Sequence, residues 1–174
     1  MSATAAPSPR KFIPVVGITS FVAGILFVIA GVGTYIMVSS QLADQNITVA
    51  EDASFLAGKQ VAGPFTAYAQ ADIINVHALE STDGRTYAEL GELMSQEEPG
   101  SPEHTELAAQ RATVMNASFL RASLYTSVVA FGVAVLVIGI GVVLALSGLA
   151  IRKLALMSDA HEAQTRDLAE RQLI

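Results

Sequence analysis

The sequence predicts an all-α membrane protein in which two transmembrane helices form an antiparallel hairpin and carry a small extracytoplasmic helical domain. Three observations predict this class. Two apolar runs, Phe12 to Val38 and Leu124 to Ile151, contain no charged side chain, and about 18 such residues suffice to cross the hydrocarbon of a bilayer as a helix. Basic residues flank both runs on the same side. The segment between the runs is acidic, and its apolar residues recur at helical intervals.

These features divide the chain of 174 residues into five segments. We expect a disordered cytoplasmic N-terminus at 1–11, a first transmembrane helix at 12–38, an extracytoplasmic acidic helical domain at 39–122, a second transmembrane helix at 123–151 and a cytoplasmic helical tail at 152–174. The first apolar run is longer than the roughly 7–15 residues of a signal peptide, so we expect an uncleaved anchor. The tail is either solvated or bound to a surface or a partner.

Charge sets the predicted orientation in the cell membrane. Arg10 and Lys11 precede the first apolar run, and Arg152 and Lys153 follow the second. Such residues next to membrane helices stay on the cytoplasmic side. The segment between the runs has four basic and twelve acidic side chains, a net charge of −8. Both termini are therefore predicted to be cytoplasmic and the acidic segment to lie outside.

Four helical stretches are predicted from the end of the first run onward. Thr48 and Glu51 have the spacing of a capping box, which predicts a helix that ends between Gly58 and Gly63. Gly63-Pro64 interrupts the chain. Further helices are predicted over 65–80, over 86–94 and, without a break, over 103–151.

Glycines recur every seven residues in both runs, which places them in stripes on the helices. In lipid, small residues allow two helix backbones to approach closely. An antiparallel pair would align Gly17 with Gly148, Gly24 with Gly141 and Gly31 with Gly132. The predicted packing residues, in this hairpin or in a wider oligomer, are Gly17, Gly24, Gly31, Gly132, Gly139, Gly141 and Gly148.

Two distinctive strings, 64–75 and 115–124, point to contacts of the outer domain. Arg121 is expected near the outer membrane surface, where it reaches the headgroups or pairs with an acid of the 72–92 region. Packing between the outer helices and the second transmembrane helix is the favoured use of these strings. The candidate contact residues are Tyr68, Asp72, Asn75, His77, Asn116 and Arg121.

Composition argues against most kinds of chemistry. The absence of cysteine excludes disulfides, thiolate nucleophiles and cysteine-held metals. No phosphate-binding or nucleophile motif is present, and the acidic balance disfavours nucleic acid. Of the three histidines, only His77 and His104 fall on the predicted outer side, too few for a metal site. We expect no catalytic residue, no metal and no cofactor, and as partners the lipid bilayer and either another protein or further copies of the chain.

The two strings, together with Ser39-Ser40-Gln41-Leu42-Ala43-Asp44, resemble a family of small actinobacterial membrane proteins often labelled as the small subunit of an aromatic ring-opening dioxygenase. The resemblance covers about residues 12–155 and implies an enzyme subunit. Extradiol ring opening uses iron held by two histidines and a carboxylate, and no motif surrounds His77 or His104. We therefore predict a non-catalytic accessory or structural envelope protein that acts through its outer domain. An enzyme subunit, and a homo-oligomeric channel or sensor packed on the glycine stripes, are the alternatives.

Overall fold

The computed structural model describes the backbone of residues 9–171, with side chains at 13–158 and at 160, 161, 164, 165, 168 and 171. Residues 1–8 of the predicted disordered terminus and residues 172–174 of the predicted tail lie outside the described residues. The described helices are α1 (Pro9–Asp44), α2 (Pro64–Glu80), α3 (Tyr87–Gln96) and α4 (Pro102–Arg171).

The predicted all-helical class is confirmed for residues 9–171, where the β pairing is an isolated antiparallel bridge between Thr48 and Gln60. Two helical stretches, Ile13–Asp44 and Pro102–Ser158, are long and apolar enough to cross a membrane. α1 starts at Pro9, so residues 9–11 are helical and not disordered. α4 contains the predicted unbroken helix over 103–151.

The flanking basic residues belong to the same two helices. Arg10 and Lys11 are part of α1, and their side chains lie outside the described residues. Arg152 and Lys153 are exposed side chains of α4. α1 also continues beyond the predicted boundary at Val38 and ends at Asp44, just before Asn46 adopts a φ of 53°.

The chain forms two compact units. One is the helix-pair unit, whose described part comprises residues 9–33 of α1 and 134–171 of α4. The other is the 34–133 unit, bounded by Thr34–Val133, which contains the end of α1, the loop at 45–63, α2, α3 and the start of α4.

In the helix-pair unit, glycines bring the backbones of α1 and α4 into direct contact. A Cβ on Gly24 would lie 2.5 Å from the Gly141 carbonyl oxygen, and a Cβ on Gly148 would lie 2.5 Å from the Gly17 carbonyl oxygen. Gly24 of α1 thus lies against Gly141 of α4, and Gly17 lies against Gly148. A side chain at these positions would prevent this approach.

The predicted alignment of Gly31 with Gly132 is wrong. A Cβ on Gly31 would meet Ile138 and the carbonyl oxygen of Ala134 instead. A helix turns by about 100° per residue, which puts Ala134 in line with Gly141 and puts Gly132 and Gly139 on the opposite side of α4. A Cβ on Gly132 or Gly139 would have nothing within 4 Å. The glycines of α4 therefore form two stripes, each with a spacing of seven: Gly141 and Gly148 contact α1, whereas Gly132 and Gly139 do not.

The core of the 34–133 unit joins a loop, α2 and α4. Its buried members are Val49 and Val61 from the loop, Leu124 from α4 and alanines of α2. Alanines at these positions let neighbouring backbones come close because their side chains are small. The alanines of this cluster are Ala67, Ala69 and Ala71.

The helix predicted to follow Thr48 is absent, and residues 45–63 form a loop. Val49 N–H donates to the Lys59 carbonyl at 2.9 Å, and Val61 N–H donates to the Ile47 carbonyl at 2.8 Å. Val49 and Val61 are buried β-branched residues, and pairing their backbones across the loop buries both. Tertiary burial therefore prevails over the local capping signal at Thr48.

The remaining helix predictions agree with the structure. α2 begins at Pro64, and the Thr66 hydroxyl accepts hydrogen bonds from the Ala62 and Gly63 N–H groups. α3 begins after Thr86, whose hydroxyl accepts from Glu89 N–H while the Glu89 carboxylate accepts from Thr86 N–H at 2.8 Å. This reciprocal pair is a capping box, found at Thr86 and not at Thr48.

Candidate functional site

The main candidate surface is an open groove between α2 and α4 in the 34–133 unit, here called the α2–α4 groove. It has a volume of about 360 Å³. Its apolar floor consists of Ile74, Ala78, Ala117 and Leu120. Its polar rim consists of four exposed side chains, His77, Ser81, Thr113 and Asn116. Two of the candidate contact residues, His77 and Asn116, thus lie at one site.

His77 also binds the loop at 45–63. Its Nε2 lies 2.6 Å from Oδ2 of Asp52, and both side chains are exposed. The hydrogen bond with His77 holds the pKa of Asp52 below its ordinary value. This contact fastens the loop to α2 on the groove side. No sequence pattern predicts this contact, because the capping-box spacing at Thr48 predicts that Asp52 lies in a helix, and that helix does not form.

Arg121 and Tyr68 join elements instead of lining the groove. Arg121 Nε donates to the Ala71 carbonyl at 3.2 Å, so it ties α4 to α2 in the way that the favoured packing interpretation expects. Tyr68 packs edge-on to Tyr125 of α4, with centroids 5.9 Å apart, and also contacts Phe55 of the loop. Both residues hold the unit together where its three main elements meet.

Asp72 and Asn75 complete the predicted set. Asp72 is an exposed residue of α2, and Asn75 is partly buried. Neither lines the α2–α4 groove. Of the groove's floor residues, Ile74, Ala117 and Leu120 fall within the two predicted contact strings, and Ala78 lies outside them. Helical spacing places Ala78 on the same face of α2 as Ile74.

His104 lies in a different groove from His77. The second groove has a volume of about 280 Å³ and is lined by His104, Tyr87 and Arg111 among others. The Arg111 guanidinium stacks over the Tyr87 ring, 3.9 Å from its centroid, and so fixes α3 against α4. Within the part of the chain that the structure describes, no group of three or more His, Asp or Glu side chains could hold a metal ion.

Comparison with models of known protein families, with curated proteins and with solved structures gave no match to this chain. The resemblance to the actinobacterial family and its dioxygenase label stay predictions. The function is accordingly inferred from the geometry of the 34–133 unit.

Proposed function

We propose that this chain is a non-catalytic integral protein of the cell membrane whose 34–133 unit binds a partner protein outside the cytoplasm. The two apolar helices form an antiparallel membrane hairpin in this proposal, with both termini in the cytoplasm. Three features support this placement: the two long apolar stretches, the basic residues at one end of each, and the acidic segment between them.

The α2–α4 groove is the observation that carries the binding role. An apolar floor bounded by exposed polar side chains is the arrangement found at protein interfaces, where the centre is apolar and the edge is polar. Leu120, on the groove floor, is 55% exposed. Large apolar side chains left uncovered in this way are typical of interaction sites. An amphipathic helix of a partner protein fits a groove of this kind.

A photo-crosslinking amino acid placed in the groove tests this role in intact cells. We would place it at Ala117, on the groove floor, and at the adjacent exposed Ser118, which does not line the groove. The two positions differ by about 100° around α4. The proposal expects one reproducible partner protein from position 117 and none from position 118.

A second variant checks that the captured protein occupies the groove. Ala78→Phe fills the groove from α2 and should abolish the crosslink from position 117. Equal capture from both positions, or capture that survives this substitution, would overturn the proposal. Products containing only this chain would also overturn it and would favour a homo-oligomer.

The homo-oligomer is the second candidate because of the outward glycines. Gly132 and Gly139 are seven residues apart on one side of α4, and added side chains there would meet nothing within 4 Å. A second copy could approach closely at this stripe. Gly139→Leu should then reduce the oligomer size measured in detergent, and an unchanged size would exclude assembly on this stripe.

A further inference from the structure

A second cavity of the 34–133 unit is lined by uncharged polar side chains and by aliphatic side chains. It has a volume of about 620 Å³ and lies among the end of α1, the loop at 45–63, α2 and α4. This volume falls within the range of small-molecule sites, about 300–1,000 Å³. We call it the glutamine cavity after Gln41, Gln45 and Gln70, which line it.

The polar groups of the glutamine cavity are all uncharged. Besides the three glutamines they are Ser123 and Ser127, and no Asp, Glu, Lys, Arg or His lines the cavity. Amide and hydroxyl groups both donate and accept hydrogen bonds, so they suit ester carbonyls and hydroxyls. A phosphate group would call for Arg, Lys or a row of backbone N–H donors. The lining therefore favours a neutral ligand over an anionic one.

Gln70 is oriented by the loop. Its Oε1 accepts a hydrogen bond from the Ala50 N–H at 3.1 Å. Because a backbone N–H can only donate, this bond fixes which end of the amide is oxygen. The Nε2 group is then the part of Gln70 left to donate to a ligand carbonyl.

The rest of the lining is aliphatic: Val38, Leu42, Ile47, Ile74, Leu120 and Leu124. These side chains come from all four surrounding elements and offer contact to a hydrocarbon chain. The cavity thus combines neutral hydrogen-bonding groups with an aliphatic wall. This combination matches an amphiphile whose polar part carries no charge.

The position of the cavity along the helices points to a membrane lipid. Val38 is the last residue of the first apolar run, and Leu124 and Ser127 open the second. This inference rests on the membrane placement proposed above. In that placement, these residues lie at the outer boundary of the hydrocarbon. Ester groups of bilayer lipids lie at that depth, between the acyl chains and the headgroups.

We propose that the glutamine cavity binds a neutral glycerolipid of the diacylglycerol type. Its ester carbonyls and free hydroxyl bond to the glutamine amides and serine hydroxyls, and an acyl chain lies along the leucines. Discrimination against phospholipids follows from the lack of a cation in the lining. A charged phosphate would lose part of its hydration there and would gain only neutral donors, with no cation to offset the loss.

Native mass spectrometry of the full chain tests this proposal with two lipids that share the same acyl chains, dioleoylglycerol and dioleoyl-phosphatidylglycerol. The protein is purified from carbonate-washed membranes, so that failure of the membrane placement appears separately, as protein lost in the wash. Supplied with equal amounts of both lipids, the protein should retain dioleoylglycerol about tenfold more than the phospholipid. Equal retention, or preference for the phospholipid, would overturn the proposal.

Variants locate the bound lipid. Ser123→Phe fills the cavity and should remove the preference, whereas Ser118→Phe on the same helix, away from the cavity, should keep it. Gln41 and Gln45 are exposed, so Gln41→Leu with Gln45→Leu removes polar groups with little risk to folding. This double variant should lower the preference at unchanged helix content, measured by circular dichroism. A preference that survives in both the double variant and Ser123→Phe would place the lipid elsewhere and overturn the assignment.

Discussion

Replacing Gly24 by alanine places a methyl group against the backbone of α4 in the helix-pair unit. The new Cβ would lie 2.5 Å from both the Ala145 nitrogen and the Gly141 oxygen. Carbon atoms pack at about 3.5–4.0 Å, and backbone atoms cannot rotate aside. The two helices must therefore separate by about 1 Å at this point. Overpacking of this kind costs about 1–3 kcal/mol.

Gly33→Ala is the matched control on the same helix. A Cβ on Gly33 would have nothing within 4 Å, and alanine favours a helix over glycine by about 0.5–1 kcal/mol. Both substitutions gain this helix propensity, so it cancels in the comparison, and Gly24→Ala should be less stable than Gly33→Ala by the overpacking cost alone, about 1–3 kcal/mol. On α4, Gly141→Ala and Gly139→Ala form a second pair with the same expected order.

Reversible unfolding in detergent, followed by far-ultraviolet circular dichroism, measures these differences. The reasoning is refuted if Gly24→Ala is as stable as Gly33→Ala, or if Gly139→Ala is as destabilised as Gly141→Ala. Either result would mean that the close approach of the glycines does not hold α1 against α4. A uniform loss in all four variants would point to a general intolerance of these helices to substitution.

Three further predictions concern the 34–133 unit. Thr82 is 1% exposed and its hydroxyl bonds a carbonyl at 2.8 Å, so Thr82→Val should lower the free energy of unfolding in detergent by about 1–3 kcal/mol; an unchanged value would contradict the role of this bond. Thr86→Ala removes a capping box with Glu89 and should cost about 1 kcal/mol, which Thr86→Ser should largely restore. The His77 hydrogen bond lowers the pKa of Asp52 in the folded state. This hydrogen bond therefore stabilises the folded loop fully at pH values above 3.8, the ordinary pKa of the Asp52 carboxyl, and the stabilisation is lost as the pH falls through the lower folded-state pKa. The protection factors of amides in the 45–63 loop, which hydrogen exchange gives after correction for the intrinsic pH dependence of exchange, should fall over that acid range in the native chain. Asp52→Asn should leave these protection factors independent of pH over the same range.

The positions of the helices were predictable because long, uniform signals fix them. The Gly63-Pro64 break and the acidic Pro/Gly segment place the starts of α2 and α4, and the two apolar runs without charge locate α1 and α4, although both helices continue beyond these runs. Such signals depend on local composition and on chain chemistry, such as the missing N–H of proline. These signals do not depend on the tertiary contacts between the helices and the loop.

Tertiary pairing was not predictable in the same way. The Thr48 capping box gave a local helix signal, but burial of Val49 and Val61 against α2 and α4 decided the loop conformation. The pairing of Asp52 with His77 joins residues 25 apart in sequence, and no spacing rule connects a loop to a helix at that distance. The positions around the helix distinguish the two glycine faces of α4. Gly139 and Gly141 are two residues apart, which separates them by about 200° around the helix axis, so they lie on opposite sides.

The two sites of the 34–133 unit share a wall, and this links the two proposals. Ile74 and Leu120 line both the α2–α4 groove and the glutamine cavity. A ligand that changes the rotamer of Leu120 in the cavity changes the floor of the groove at the same time. By thermodynamic linkage, a partner that prefers one Leu120 rotamer and a lipid that prefers the same rotamer strengthen each other's binding by equal factors. If both proposals hold, dioleoylglycerol should change the affinity of the partner for the native chain, and Leu120→Ala should remove that change while leaving some affinity for each ligand. Independent binding of lipid and partner would mean that the shared side chains adopt one conformation in every state.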